Sequence, residues 1–414
     1  MRINIQPIRL IPKLVKSVFS VARLSYIISR KRLEGRTIYL YEVYGGRIGH
    51  LLLNTENAYL AACRQQGLSG RPFMVCISFS KCCNEYALRM LKRSTLDEFV
   101  WLTPGISSLI IASIVKITEI SDWLVYLNWD QIASIKEDDV YNRISPHTLS
   151  EQDTRDRRLL QFELGISPGK YISVHNRDNL YVEKNTNDPN CHDYRDYDIS
   201  DMEEVIKYTQ SKGMHLIRHG TVQKVIENPQ LKRNIIDMSN RKTGYRDDFL
   251  LISECRFFIG CTTGFTQIAR IFRKPLLLIN QIPCNIFELT TRYQTTESQY
   301  NMVMPKLLRE KKSGRMLSFK EIIEFEPSIH SKDCPYKEHG LEVINNSPSE
   351  IRKAAVEMDL RLSGKITKDY SSNINRKNLI RIIQGIPKYR DILERDFYIP
   401  DSFLNKYDYL VRES

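Results

Sequence analysis

Short apolar runs alternate with amphipathic stretches twice along this chain, and few folds accept that order. "TIYLYEV" (37–43) and "PFMVCIS" (72–78) read as buried strands, with a glycine turn "YGGRIGH" (44–50) between them. The stretches "LLLNTENAYLAACRQQG" and "KCCNEYALRMLKR" read as the helices that follow. The pattern weakens over 100–150 and resumes with strands at 170–174, 214–218, 234–238, 256–260 and 275–280. Strand and helix in alternation predict parallel, doubly wound sheets. In "SDMEEVIKYTQSKG", Ser200 and Glu203 read as a capping box and Gly213 as the stop. "SPSEIRKAAVEMDLRL" predicts a helix capped by Ser347 or Ser349.

A chain of 414 residues exceeds one ordinary core. The expectation is an α/β protein with four parts: a basic amphipathic segment (1–36), a Rossmann-like domain (37–150), a second one (151–345) and a C-terminal helical segment (346–414). Hydrophobic content of 42% with 27% charged residues describes a globular protein. The nine cysteines are odd in number and include no CxxC, so reduced thiols are expected rather than a disulfide framework or a zinc site.

The net charge of +12 is concentrated at one end. Residues 1–36 hold nine basic residues (Arg2, Arg9, Lys13, Lys16, Arg23, Arg30, Lys31, Arg32, Arg36) against Glu34 alone, hence eight of the twelve net charges. On a helical projection Ile8, Ile11, Val15, Phe19, Ala22 and Tyr26 share one arc, beside a basic arc of Arg9, Lys13, Lys16 and Arg23. No apolar run is long enough to span a bilayer. The pattern fits a helix over residues 1–33 lying on an anionic membrane, or a packing helix with a solvated basic flank. No stacking platform accompanies the charge, so nucleic acid is not the expected partner.

The polar residues collect at strand ends. His175, Arg177 and Asp178 follow the strand at 170–174, and Arg218 and His219 end the one at 214–218. Thr262, Thr263 and Gly264 follow the one at 256–260 and open a helix. Ligands of such sheets bind outside the carboxyl ends of the strands. Two arginine forks and a helix N-terminus there would seat a diphosphate. Each feature alone has a plainer reading: a satisfied histidine, a helix cap, a surface ion pair.

The motifs "SVHNRDNLY", "HDYRDYDISDMEEVIKYTQSKGMHLIRHG", "DDFLLISECRFFIGCTTGF" and "KPLLLIN", with "RIGHLLLNTE" and "NNSPSEIRKAAVEM", resemble a family of bacterial surface-polysaccharide glycosyltransferases. The resemblance implies a GT-B enzyme with the nucleotide sugar held mainly by the C-terminal domain. It implies no cofactor and no metal, and a glycan or lipid-linked acceptor at the cytoplasmic face of the inner membrane. A weaker similarity runs to the fucosyltransferase pattern HxRxxD; His175 and Arg177 match, while Leu180 stands where the acid should be. The glycine turn is similar to that of lipopolysaccharide heptosyltransferases, with His50 where an aspartate base is proposed. His50 or Asp178 would then deprotonate the acceptor; His50 also reads as an ordinary helix-start residue. Tyr194 and Arg195, in "CHDYRDYD", are possible sugar or phosphate contacts, or part of a solvated loop. "RDDF" (246–249) reads as helix-start charge. The rival functions are a nucleotide-sugar 2-epimerase and a non-catalytic membrane-associated assembly subunit.

Overall fold

The structure, a computed structural model, describes residues 34–66, 72–78, 80–94, 99–102, 122–128, 145–180, 192–220, 223–239, 241, 245–282, 301–325, 335–366, 373–387 and 398–411, with positions 22, 25–26, 28–32, 132 and 390. The chain forms two units, residues 1–148 and 149–414.

In the first unit β1 (Ile38–Val43), β2 (Phe73–Ser78), β3 (Phe99–Leu102) and β4 (Leu124–Leu127) make a parallel sheet in the order β3-β2-β1-β4. Helices α1 (Ile48–Gln65) and α2 (Glu85–Ser94) follow β1 and β2. Parallel strands covered on both faces need continuous apolar runs, and β2 is buried at every position. One face carries Ile38, Leu40, Phe73, Val75 and Ile77, onto which Ile28 and Trp123 pack.

Ile28 belongs to the basic segment, so the end of that segment is a packing element. Residues 28–32 are helical. Lys31 sits over the Phe73 ring at 5.6 Å, and Arg32 over Trp123 at 4.6 Å. Arg30 and Lys31 also pair with Glu34 at 3.2 and 2.8 Å. Over residues 28–32 the packing-helix reading therefore holds, and residues 1–21 lie outside the described residues. No described helix is long and apolar enough to cross a membrane.

The second unit opens with α3 (Glu151–Glu163), capped by Ser150. Its sheet contains β5 (Tyr171–Val174), β6 (His215–Arg218), β7 (Ile236–Asp237), β8 (Phe258–Gly260), β9 (Leu276–Gln281) and β10 (Met302–Pro305). All pairings are parallel and the order is β10-β9-β8-β5-β6-β7. Counted within the unit this is 3-2-1-4-5-6, the doubly wound order of dinucleotide-binding domains. Helices α4 (Glu203–Ser211), α5 (Pro229–Asn234), α6 (Tyr245–Ile252) and α7 (Thr266–Ile271) connect the strands. Strand order reverses between the neighbours β5 and β8.

Two local expectations meet different outcomes. The Ser200–Glu203 box does not form: Asp198 takes the Ser200 amide at 2.7 Å and starts a 3-10 turn, Ile199–Met202, ahead of α4. Ser347 does form one with Glu350, at the start of α8 (Pro348–Leu362). Helix α8 packs on α4, and α9 (Ile374–Gln384) and α10 (Asp401–Lys406) follow it. The strand β10 and the antiparallel pair β11 (Leu307–Glu310) and β12 (Leu341–Ile344) have no counterpart in the sequence reading. Beside them Asn280 and Asn346 clasp reciprocally. The Asn280 amide gives to Asn346 Oδ1 at 2.6 Å, and the Asn346 amide to Asn280 Oδ1 at 2.7 Å.

Candidate functional site

The tip of β5 carries the sheet's alternation one turn beyond the strand. A strand points successive side chains to opposite faces, and residues 175–178 keep doing so. His175 stacks on Phe265 with ring centroids 4.3 Å apart and planes 17° from parallel. Arg177 donates to the His192 carbonyl at 2.7 Å and pairs with Asp196. Asn176 and Asp178 turn the other way, to Arg218: its Nε donates to Asn176 Oδ1 at 2.9 Å, and its Nη2 lies 3.6 Å from Asp178.

That alternation corrects the two-arginine grip. Arg218 is fully buried and also meets the Lys224 carbonyl at 2.9 Å and Asp237 at 3.3 Å. It faces away from Arg177 and braces the β6 end. His219 is likewise fully buried, between Asp248 Oδ1 and Ser173 Oγ, each at 2.9 Å. The acid in "RDDF" is thus more than helix-start charge. Burial raises the Asp248 carboxyl against the pull of His219. Asp178 is engaged as well: its oxygens accept the Leu180 amide at 3.1 Å and the Lys224 amide at 2.9 Å.

The β8 side of the switch point is close-packed. A Cβ on Gly260 would lie 2.7 Å from the Phe258 ring and 2.8 Å from Thr266 Oγ1, so only glycine fits there. Thr262 gives its hydroxyl to the Ile282 carbonyl at 2.9 Å, which ties this turn to the end of β9. Thr263 Oγ1 is 3.4 Å from Thr266 Oγ1. Residues 262–264 precede α7 rather than open it, since the helix starts at Thr266. The β5 tip reaches the residue just past this turn through the stack of His175 on Phe265.

Burial holds His175 down to about 3, so the ring is neutral. Its Nδ1 lies 3.0 Å from the His219 carbonyl, which can only accept, and 3.1 Å from Gln223 Nε2. Gly220 closes over that edge: with φ +121° and only 3.2 Å from a would-be Cβ to Nδ1, it has no room for a side chain.

Two residues escaped the sequence reading. Lys306, just past β10, is buried with its amine on the carbonyls of Tyr194 (2.7 Å) and Asp196 (2.8 Å). Burial pushes it down to about 8. The signal was a lone lysine in the apolar run "NMVMPKLL". Asp196 is the other, and burial raises it to about 6 against Arg177 and Lys306. Tyr194 and Arg195 form a 3-10 turn between them (Asp193–Arg195). The Tyr194 hydroxyl lies 2.9 Å from His192 Nδ1, and its ring packs edge-on against Tyr336.

In the first unit the glycine turn is built for close approach. A Cβ on Gly45 would meet Ser78 Oγ and the Trp101 ring at 2.7 Å, and the Gly46 amide gives to Ser80 Oγ at 2.6 Å. His50 stands in the first turn of α1, 3.4 Å from Asn54 Nδ2. Burial, then Arg47, lowers its pKa and leaves a neutral imidazole. The described thiols are free, and no group of metal-binding side chains occurs among the described residues.

No family model matches the sequence, and no curated protein matches it. Among solved structures it is similar to the glycosyl transferase family 9 protein of Veillonella parvula, with 11% identity and a TM-score of 0.47, over 79% of this chain and 98% of that one. It is similar to E. coli ADP-heptose lps heptosyltransferase II at 9% identity and TM-score 0.44, over 79% and 99%. A third is the iron-containing dodecameric glycosyltransferase TibC of enterotoxigenic E. coli, at 14% identity and TM-score 0.30. That match spans 59% of this chain and 58% of TibC, less than two thirds of its length.

Proposed function

We propose that the chain is a glycosyltransferase of GT-B organisation, moving a sugar from a nucleotide-sugar donor to a cell-surface polysaccharide or lipid-linked glycan. One observation carries the reading: Arg177 and the Thr262–Gly264 turn follow the neighbouring strands β5 and β8, on either side of the switch point where doubly wound sheets bind nucleotides. The motifs around them resemble those of the surface-polysaccharide enzymes. Arg177 and the turn neutralise the departing diphosphate. His175, a neutral ring, offers its Nε2 to a donor hydroxyl. Tyr194 and Arg195 flank Arg177 on the sugar side. His50, a neutral imidazole, takes the acceptor proton, with Asp178 as the alternative base.

The test is a thermal-shift panel of UDP, GDP, CMP, ADP and dTDP sugars. A ligand at about a hundred times its Kd stabilises by ~2.7 kcal/mol, which moves a unit of this size by roughly 5–10 °C. Sugar release from that donor, persisting in EDTA, is expected to follow. A panel with no shift would overturn the reading.

The basic segment places the enzyme on the inner face of the cytoplasmic membrane. Each Lys or Arg near an anionic surface contributes about 1 kcal/mol. Because residues 28–32 pack on the first unit's sheet, the informative deletion is residues 1–21, ahead of Ile28. The shortened protein should stay in the supernatant when phosphatidylglycerol vesicles are pelleted, while the full chain sediments and is released by salt. Equal sedimentation of the two would remove the membrane role.

A further inference from the structure

The guanidinium assigned to the donor already has an anion on it. Arg177 pairs with Asp196 and donates to the His192 carbonyl, both from one turn. That turn is anchored from below by Lys306, whose amine holds the Tyr194 and Asp196 carbonyls. Its first residue, His192, sits at φ 61°, a left-handed conformation that costs a non-glycine residue energy. The pair is at the rim rather than in the core: the side chains are 14% and 24% exposed, against 0% for Arg218. An arginine pair built only for stability has no need of that position or of a strained neighbour.

We propose that Asp196 is a positioning residue that holds Arg177 as a stand-in for phosphate, and that a diphosphate takes Arg177 over by displacing the carboxylate. This rests on the donor reading given above. In the empty state Asp196 keeps the guanidinium aimed at the switch point and neutralised. On binding, the carboxylate gives up its partner and keeps Lys306 close by. Burial already makes its charge costly, and Asp178 adds repulsion while Arg177 and Lys306 oppose it. The exchange scales apparent affinity down to the fraction of molecules in which Arg177 is free of Asp196.

The discriminating experiment measures the sign of an affinity change. Inorganic pyrophosphate is the probe, because it carries the anion without a base. Asp196→Asn keeps the shape and removes the charge, and should tighten pyrophosphate by about tenfold, the factor expected when nine molecules in ten are engaged. Asp196→Ser, with less to pack, should tighten it too, which covers the case where the first variant folds poorly. A purely structural Asp196 predicts the reverse, since a loosened Arg177 binds anions worse. Unchanged or weaker binding in the folded variants overturns the exchange. Arg177→Ala in the same titration separates the two ideas: if it weakens pyrophosphate while the Asp196 variants do not tighten it, the donor reading stands and the exchange falls. If Arg177→Ala changes nothing, both fall.

Discussion

Arg218→Ala should destabilise the second unit by about 3–5 kcal/mol, the cost of removing one member of a buried charge network. The side chain is fully buried and joins Asn176, the Lys224 carbonyl, Asp237 and Asp178. Truncation strands those acceptors and two carboxylates at the meeting of three strand tips. Urea unfolding of the whole chain, followed by far-UV dichroism, reads the effect as an earlier transition for the second unit. Arg218→Lys should recover only part of it, because an ammonium cannot reach Asn176 and the Lys224 carbonyl together. A loss below about 1 kcal/mol, the range of exposed pairs, would show that the bracing role is wrong.

Arg177→Ala should behave in the opposite way. Its pair with Asp196 is partly exposed, so stability should change by about 1 kcal/mol or less. Nucleoside diphosphate affinity should fall by about 1.5–3 kcal/mol, the scale of a hydrogen bond to a charged group. That is roughly 10- to 150-fold in Kd, read by calorimetric titration with the nucleotide the thermal screen selects. Two arginines at neighbouring strand tips would then separate cleanly, one into stability and one into binding. Unchanged affinity would remove Arg177 from the site.

The positions of these residues were legible before their directions were. Strands β5, β8 and β9 are buried throughout and β6 beyond His215, so hydropathy found them as apolar runs. The strand read at 234–238 forms only as Ile236–Asp237. Strands β10, β11 and β12 are runs of four residues, the first two parted only by Lys306, and periodicity had too little to work on. The rim followed from strand polarity alone. What hydropathy does not encode is which way a cation faces at a strand end. Arg177 and Arg218 look alike in sequence, and a one-residue phase decides that the first meets Asp196 and the second Asp178. His219 and Asp248 are 29 residues apart, with nothing local to link them. The glycine turn at 44–50 was legible, and Gly45 does mark a close approach, whereas Gly260, a second one, was read only as the end of a strand.

The asparagine clasp has a consequence in time rather than in space. Two buried backbone amides, at the end of β9 and ahead of α8, find their acceptors only in each other's side chains. A nascent chain that has released β9 but not residue 346 holds one of those amides without an acceptor, at a cost on the order of 1–3 kcal/mol. The clasp can therefore form only after 66 further residues have followed Asn280 out of the ribosome. Until then the Asn280 amide must rely on water or on a chaperone for its acceptor.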